Sequence, residues 1–468
     1  MRVLCTATGS PSHGRALLPL ARALAAAGHE VTVASTAAVA PVFADDDVTV
    51  VSCLPPLVPS GGADGRDPAR TTASAGPRDA DRAVRVPGDP GTGVGGDEDA
   101  GDGDTDGLGP DMRKLVARLT GSHALEGHRA LRPLARDMAP DVIVRDGMDL
   151  GACLLAEQLE VPHLPIPSGF VNTVDPALLL PGLNRLRESL GLPVREDPAS
   201  LHPHGRFDYL PRDHSFARFP ATVLAYRQTT AVDRTAGLPE WVARLPTDRP
   251  LVFAAMGTAL PMLRGLLPEG ASLPHGVSDP SEVLRAIVAG LSRLECVAVV
   301  ATSGIACDGV EPGPNVRLTD SLAQPLLLEC ADLFVTHGGY NSVREAVRTG
   351  TPMVVAPHFG DQPLNARRVV ELGLGRHLTD LEPRALAEVC ADLLADREVA
   401  ARCRRARLAT LALPDIGRSP ADLAELCARA AVRAPRTSAA TGKVRPSRGA
   451  RRAAADVTAV PRGGTSRR

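Results

Sequence analysis

The sequence predicts an α/β fold of two doubly wound, Rossmann-like domains. Three observations carry that reading. The chain has 468 residues, more than one ordinary hydrophobic core encloses. Short apolar runs alternate with stretches of helical spacing over most of its length, the texture of strands and helices laid down in turn. That alternation starts twice, at the N-terminus and again at Leu251 after a stretch rich in turn signals.

The first domain is assigned residues 1–225. Residues 2–7, RVLCTA, read as a short buried strand, broken by GSPSHG. RALLPLARALAAAG then carries apolar residues at helical spacing and stops at Gly28, and HEVTVAS supplies the next strand. The texture returns in APDVIVRDGMDLGACLLAEQLEVPHLPIP, with a strand over 141–145, a polar loop at Asp146, a helix, and a strand after Val161. Residues 60–111 interrupt it. They are rich in Gly, Asp, Pro and Ser, and between Asp89 and Asp111 they carry acidic side chains and no basic ones. Such a segment buries too little surface to offset its ordering entropy, so a mobile acidic insertion is expected.

FPATVLAYRQTT reads as the last strand of the first domain, and residues 226–248 as a linker. The second domain, 249–415, opens with a strand over 251–256 followed by Gly257–Thr258. CVAVVATS is a strand, LFVTHGG a strand and loop, YNSVREAVRTG a helix, and MVVAPHFGDQ a strand and loop. Residues 384–433 have helical period, with a terminal helix over 416–434 expected to return to the first domain. The end, 435–468, is basic, with nine Arg or Lys against Asp456, and is expected to be disordered.

Composition narrows the function. The net charge of -2 offers no whole-protein field for nucleic acid, and no stretch approaches the ~18 apolar residues of a membrane span. Nine scattered cysteines form no C-x-x-C pair, so neither zinc nor redox chemistry is suggested and a reduced cytoplasm fits. The N-terminus does not read as a signal peptide. Lys114 and Lys443 are the only lysines, and with heavy Ala, Gly and Pro this indicates GC-rich bacterial coding. DGDTDG, Asp102 to Gly107, begins like a calcium loop but has Arg113 where the bidentate Glu belongs. GTGVGG, Gly91 to Gly96, follows no strand and is not a dinucleotide fingerprint.

The chemistry is expected at strand ends, where loops meet helix N-termini carrying free N–H groups and partial positive charge. THGGYNS reads as a phosphate cradle without a lysine: His337 at the mouth, Gly338 and Gly339 for close backbone approach, Asn341 or Ser342 as cap or donor. An ordinary strand–turn–helix with a buried histidine is the competing reading. Thr258 offers a hydroxyl at the same face. Asp361 and Gln362 end the next strand, and a carboxylate beside an amide suits sugar hydroxyls better than phosphate. Together they suggest a nucleotide diphosphate sugar.

The block DSLAQPLLLECADLFVTHGGYNSVREAVRTGTPMVVAPHFGDQPLNARRVVELGLG resembles the donor-binding signature of family 1 glycosyltransferases, which have the GT-B fold of two Rossmann-like domains facing a central cleft. MRVLCTATGSPSHGRALLPLARALAAAGHEVTVAS, LNRLRESLGLP and LPEWVARLP resemble the bacterial members that glycosylate polyketides and other natural products (macrolide, enediyne). The likeness covers most of residues 1–430, weakly over 50–135 and 260–280.

The resemblance implies roles. His337 would contact the donor diphosphate, and Gly339, Asn341 and Ser342 would donate to the same phosphates. Glu345 matches the acidic position that holds ribose hydroxyls, a solvated helix carboxylate being its plainer reading. Asp361 and Gln362 match the pair holding the transferred sugar, and Leu322 and Gln324 the segment whose backbone pairs with the base. Ser321 stands where the family often has Trp, which leaves UDP and dTDP both open. His13, in the first βα loop, matches the general base; a neutral imidazole suits deprotonation of a hydroxyl. Asp146 is the candidate to hold its tautomer and Asp149 the rival, either being open to service as a helix cap. The expected activity is inverting, metal-independent transfer of a hexose or deoxyhexose from a UDP- or dTDP-sugar, a co-substrate rather than a cofactor, to a hydroxyl of a small hydrophobic acceptor. Competing readings are a glycolipid or cell-envelope glycosyltransferase and a catalytically silent nucleotide-sugar-binding partner. No nucleic acid or integral membrane contact is expected; a homodimer is the remaining partner considered.

Overall fold

The computed structural model describes residues 1–56, 110–169, 174–227, 237–257 and 279–433. Most of the 60–111 segment, Thr258, part of the 226–248 linker and the 435–468 tail lie outside the described residues.

Residues in the first half build a five-stranded, all-parallel sheet in the order β3-β2-β1-β4-β5. Its strands are β1 (Arg2–Ala7), β2 (Glu30–Ser35), β3 (Thr49–Ser52), β4 (Val142–Arg145) and β5 (His163–Pro165). Around them lie α1 (Pro11–Ala26), α2 (Pro110–Leu119), α3 (Ser122–Met138), α4 (Leu150–Leu159) and α5 (Pro176–Ser189). α1 starts with Pro at its first position, where a missing N–H costs nothing, and buries Leu17, Leu18, Leu20, Ala21 and Leu24. β1 and β4 are buried nearly end to end, as parallel strands covered on both faces must be.

Two short strands, β6 (Arg206–Asp208) and β7 (Val223–Ala225), pair with each other in a separate two-stranded sheet. The run expected to be the last strand of the first domain is therefore β7, outside the main sheet. Beyond it, β8 (Leu251–Ala255), β9 (Val297–Ala301), β10 (Val316–Thr319), β11 (Leu333–Thr336), β12 (Met353–Val355) and β13 (Gly375–His377) form a six-stranded parallel sheet, ordered β10-β9-β8-β11-β12-β13. Its helices are α6 (Pro280–Leu291), α7 (Gln324–Leu327), α8 (Tyr340–Thr349), α9 (Gln362–Glu371), α10 (Pro383–Ala395) and α11 (Arg397–Leu411). The last helix, α12 (Ser419–Arg433), packs on α1, with Leu423 and Ile416 in the core of the first lobe.

Both sheets reverse direction at their first strand. β1 lies between β2 and β4, and β8 between β9 and β11. In open parallel sheets this switch leaves a crevice at the carboxyl ends of the two diverging strands. β1 and β4 end at one crevice, β8 and β11 at the other.

The seam between the lobes departs from a simple partition by sequence. Leu210 and Phe216, numbered within the first domain, lie in the core of the second lobe, and so do contacts from Leu238, Trp241 and Leu245 of the expected linker. Asp208 is buried at this crossing. Its Oδ1 accepts from Tyr340 Oη of the second lobe at 2.7 Å and from Tyr209 N at 2.8 Å, and its Oδ2 accepts from Ser215 Oγ at 2.7 Å. Helix α8 is buried on nearly all sides although it carries Arg344, Glu345 and Arg348, because one face covers its own sheet and the other meets the first lobe. Arg344 lies over the Tyr209 ring at 4.6 Å.

Removing the tyrosine hydroxyl takes one donor from a buried carboxylate. Tyr340→Phe is expected to lower the unfolding free energy by about 1.5–3 kcal/mol, the range for a hydrogen bond to a charged group, read by urea denaturation.

Candidate active site

The first crevice holds a buried carboxylate. Asp146 follows β4 directly and is fully inaccessible. Its Oδ2 is 2.9 Å from His13 Nδ1 and accepts from Thr8 N at 3.3 Å; its Oδ1 accepts from Met148 N at 2.8 Å and Ser168 Oγ at 2.9 Å. Burial alone would raise the pKa of this carboxyl, but the His13 charge and hydrogen bond, with the Met148 and Ser168 donors, hold it below its ordinary value. Asp149 caps α4 instead, accepting from Ala152 N at 2.9 Å. Of the two rivals, Asp146 is the one in contact with His13.

His13 sits in the first turn of α1 rather than in the loop before it. Gly9, at φ +74°, lies so close to the imidazole that a Cβ there would stand 3.1 Å from His13 Cε1. Burial would depress the imidazole pKa; the Asp146 charge, its hydrogen bond and the Asp361 charge outweigh this and raise it above the ordinary 6.5. Because Nδ1 is spent on Asp146, Nε2 is the nitrogen left to take a proton. The Asp361 effect also places a carboxylate of the second lobe across the same gap.

The second crevice holds His337, which follows β11. Its ring lies flush against backbone: a Cβ on Gly257 would stand 2.4 Å from Cε1, and one on Gly339 2.5 Å from Nε2. Gly338, at φ +83°, leaves 2.5 Å between a built Cβ and Val355 Cγ1. These glycines thus admit an imidazole and a tight turn as well as any ligand. Burial, then the neighbouring His358, lowers the His337 pKa to about 4, so the ring is neutral, and its buried Nδ1 has no hydrogen-bond partner among the described residues. His358, also pushed to about 4 by burial, was not singled out from sequence, since nothing in PHFG distinguishes it from a loop residue.

Other expected contacts are already partly committed. Gly339 is the cap of α8 and no side chain caps it. Asn341 Nδ2 donates to the Ser12 carbonyl of the first lobe at 2.6 Å, so this side chain joins the lobes and its backbone N–H is the group left for a phosphate. Gln324 Nε2 donates to Glu345 Oε2 at 2.7 Å and reaches Ser342 Oγ at 3.3 Å. The Leu322 carbonyl accepts from Gln324 N at 2.8 Å, a tight turn in the segment expected to face the base. Burial raises the Glu345 and Asp361 pKa values, the latter held back by a hydrogen bond from Asn365 Nδ2 at 2.9 Å. Gln362 Oε1 accepts from His358 N at 2.8 Å and Phe359 N at 3.2 Å, bracing the loop; its oxygen is not offered to a sugar.

Among the described residues one group has metal-ligand spacing, Cys153, Glu157 and His163, away from the crevice residues above. Arg187 grips both Glu157 oxygens at 2.7 and 2.9 Å, and Arg145 Nε is 3.4 Å from His163 Nδ1, so two buried guanidinium groups fill the place of a cation.

Comparison with known proteins shows what the chain is similar to. The family model described as erythromycin biosynthesis protein CIII-like, C-terminal domain, matches residues 285–429. L-demethylnoviosyl transferase of Streptomyces niveus is 26% identical over 396 residues, 81% of this chain and 85% of that protein. Oleandomycin glycosyltransferase of Streptomyces antibioticus is 28% identical over 311 residues, 63% and 70% of the two chains. The fold matches the solved spinosyn rhamnosyltransferase SpnG complexed with thymidine diphosphate at a TM-score of 0.64, with 20% identity over 91% of this chain and 100% of that one. The chain has the GT-B fold of these solved glycosyltransferases, and its residues 285–429 match the erythromycin biosynthesis protein CIII-like C-terminal domain.

Proposed function

We propose that the chain transfers a hexose or deoxyhexose from a UDP- or dTDP-sugar to a hydroxyl of a small hydrophobic natural product, with inversion and without a metal, in the cytoplasm. The single observation that carries this reading is the His13–Asp146 pair at 2.9 Å, which leaves His13 Nε2 as a base at the gap that Asp361 borders from the other lobe. Asp146 acts by holding the tautomer and stabilising the imidazolium. The acceptor O–H gives its proton to Nε2 as its oxygen bonds to the anomeric carbon. The bond from that carbon to the diphosphate oxygen breaks, and the electron pair leaves with the nucleoside diphosphate. Neutral His337 and the backbone N–H groups that open α8 receive the growing charge, preorganised for it by the fold. Glu345 has Oε1 left for ribose hydroxyls, and Asp361 a carboxylate for the sugar. The thymidine diphosphate bound by SpnG, the sugar in the name of the Streptomyces niveus relative and the oleandomycin in that of the Streptomyces antibioticus relative support the donor class and the apolar acceptor. Nine free thiols support a reducing setting.

His13→Ala is expected to leave nucleoside diphosphate binding intact and to cut transfer by about 10²–10⁴-fold, the usual worth of a positioned base. Retained transfer in that variant overturns the base assignment; a protein binding no nucleoside diphosphate at all overturns the donor class.

The pH dependence has a definite sign. A base must be neutral, so kcat/KM rises with pH through the His13 pKa of the free enzyme, and its midpoint is expected above 6.5. In Asp146→Asn the charge that raised the pKa is gone while burial remains. The acid limb then moves to lower pH and the plateau falls, measured as a pH–rate profile; an unmoved limb removes Asp146 from the mechanism.

A further inference from the structure

The leaving group is a problem of charge. In the second crevice His337 and His358 are neutral, and Glu345 and Asp361 are acidic side chains whose pKa burial raises. The arginines of α8 are committed elsewhere: Arg344 lies fully buried over Tyr209, and Arg348 pairs with Glu329 at 2.5 Å. A diphosphate there meets backbone dipoles and two acids, and neither arginine of α8 is free to reach it among the described residues.

The first lobe supplies a cation. Asn341 at the start of α8 touches Ser12 at the start of α1, so the two helix N-termini meet. One turn along α1 from Ser12 is Arg15, and one turn along α8 from Asn341 is Glu345. The two side chains interact across the seam: partial burial lowers the Arg15 pKa and the Glu345 carboxylate opposes that shift. Arg15 nevertheless remains exposed to solvent, and no hydrogen bond or ion pair within 4 Å holds it among the described residues. The chain has placed a guanidinium two residues beyond His13, at the junction of two helix N-termini, with the Glu345 charge near it and no hydrogen bond to it among the described residues.

We propose that Arg15 is the cation for the donor diphosphate, contributed by the acceptor lobe to a donor site otherwise built from the other lobe. This rests on the function proposed above. A guanidinium forks onto phosphate oxygens with charge-assisted hydrogen bonds, and here it faces Glu345 before the donor enters. When ribose hydroxyls engage Glu345, Arg15 turns to the phosphates beside it. Donor binding then draws on both lobes, and the cation that neutralises the departing group arrives with the base that activates the acceptor.

The test is calorimetric titration of wild type, Arg15→Ala and Arg15→Lys with UDP, dTDP and the nucleosides uridine and thymidine, at low and high salt. Arg15→Ala is expected to weaken the preferred diphosphate about tenfold or more, to leave its nucleoside unchanged and to flatten the salt dependence. Arg15→Lys is expected to recover most of the affinity at low salt. Equal diphosphate affinity in wild type and Arg15→Ala overturns the assignment, and so does equal weakening of diphosphate and nucleoside, which marks a structural effect. If wild type binds no nucleoside diphosphate, the donor class falls and this inference with it; if wild type binds and the variant binds alike, only the role of Arg15 falls.

Discussion

A carboxylate taken wholly out of water must be repaid in hydrogen bonds, and Asp146 sets the geometry of the first lobe through that demand. Its donors come from the loop after β1, from the start of α1, from its own loop and from the loop after β5. Four chain segments therefore converge on two oxygens. Moving any one leaves a buried charge short of a partner, which is costlier than losing an ordinary contact. The imidazole is fixed as one of those four debts, and its proton affinity is set by the same network that sets its position.

The other lobe solves the opposite problem. It prepares a place for negative charge from backbone N–H groups and a neutral imidazole, and among the described residues it spends many of its polar groups on one another. Gln324 holds Glu345, Asn365 holds Asp361, and Gln362 holds the loop that carries His358. Each residue that would face the donor is backed by one that fixes its rotamer. The sugar-facing surface is thus thinner in available side chains than the motif suggests, and backbone takes a larger share.

How much could be read from sequence follows from which forces are local. Strands and helices were legible because their apolar periods are local, and the crevices followed because parallel sheets reverse where the loops between strands carry glycine and polar residues. His13 and Asp146 were legible as polar residues just beyond strands, His13 in the stretch after β1 and Asp146 directly after β4. Asp146 was preferred over Asp149 for its place at the strand end, but both follow β4 closely and the folded chain is what shows Asp146 turned toward α1 and Asp149 capping α4. Asn341, Gln362 and Leu322 fit the donor motif, but their commitments to Ser12, to the His358 loop and to Gln324 depend on partners that sequence spacing does not reveal. Arg15 passed unnoticed because an arginine on an amphipathic helix looks like a solvated face until the second lobe is set against it.

The crossing at Asp208 bears on how such enzymes can be recombined. Leu210 and Phe216 of the leading half are rooted in the trailing half, while Leu423 and Ile416 of the trailing half are rooted in the leading one. The two halves hold each other like clasped hands. A chimera cut in the linker between them would therefore sever neither root cleanly: each parent's half would carry apolar side chains shaped for a socket that belongs to the other parent. Exchange of donor preference by grafting has to move the 208–216 segment and the final helix along with the halves whose cores they fill.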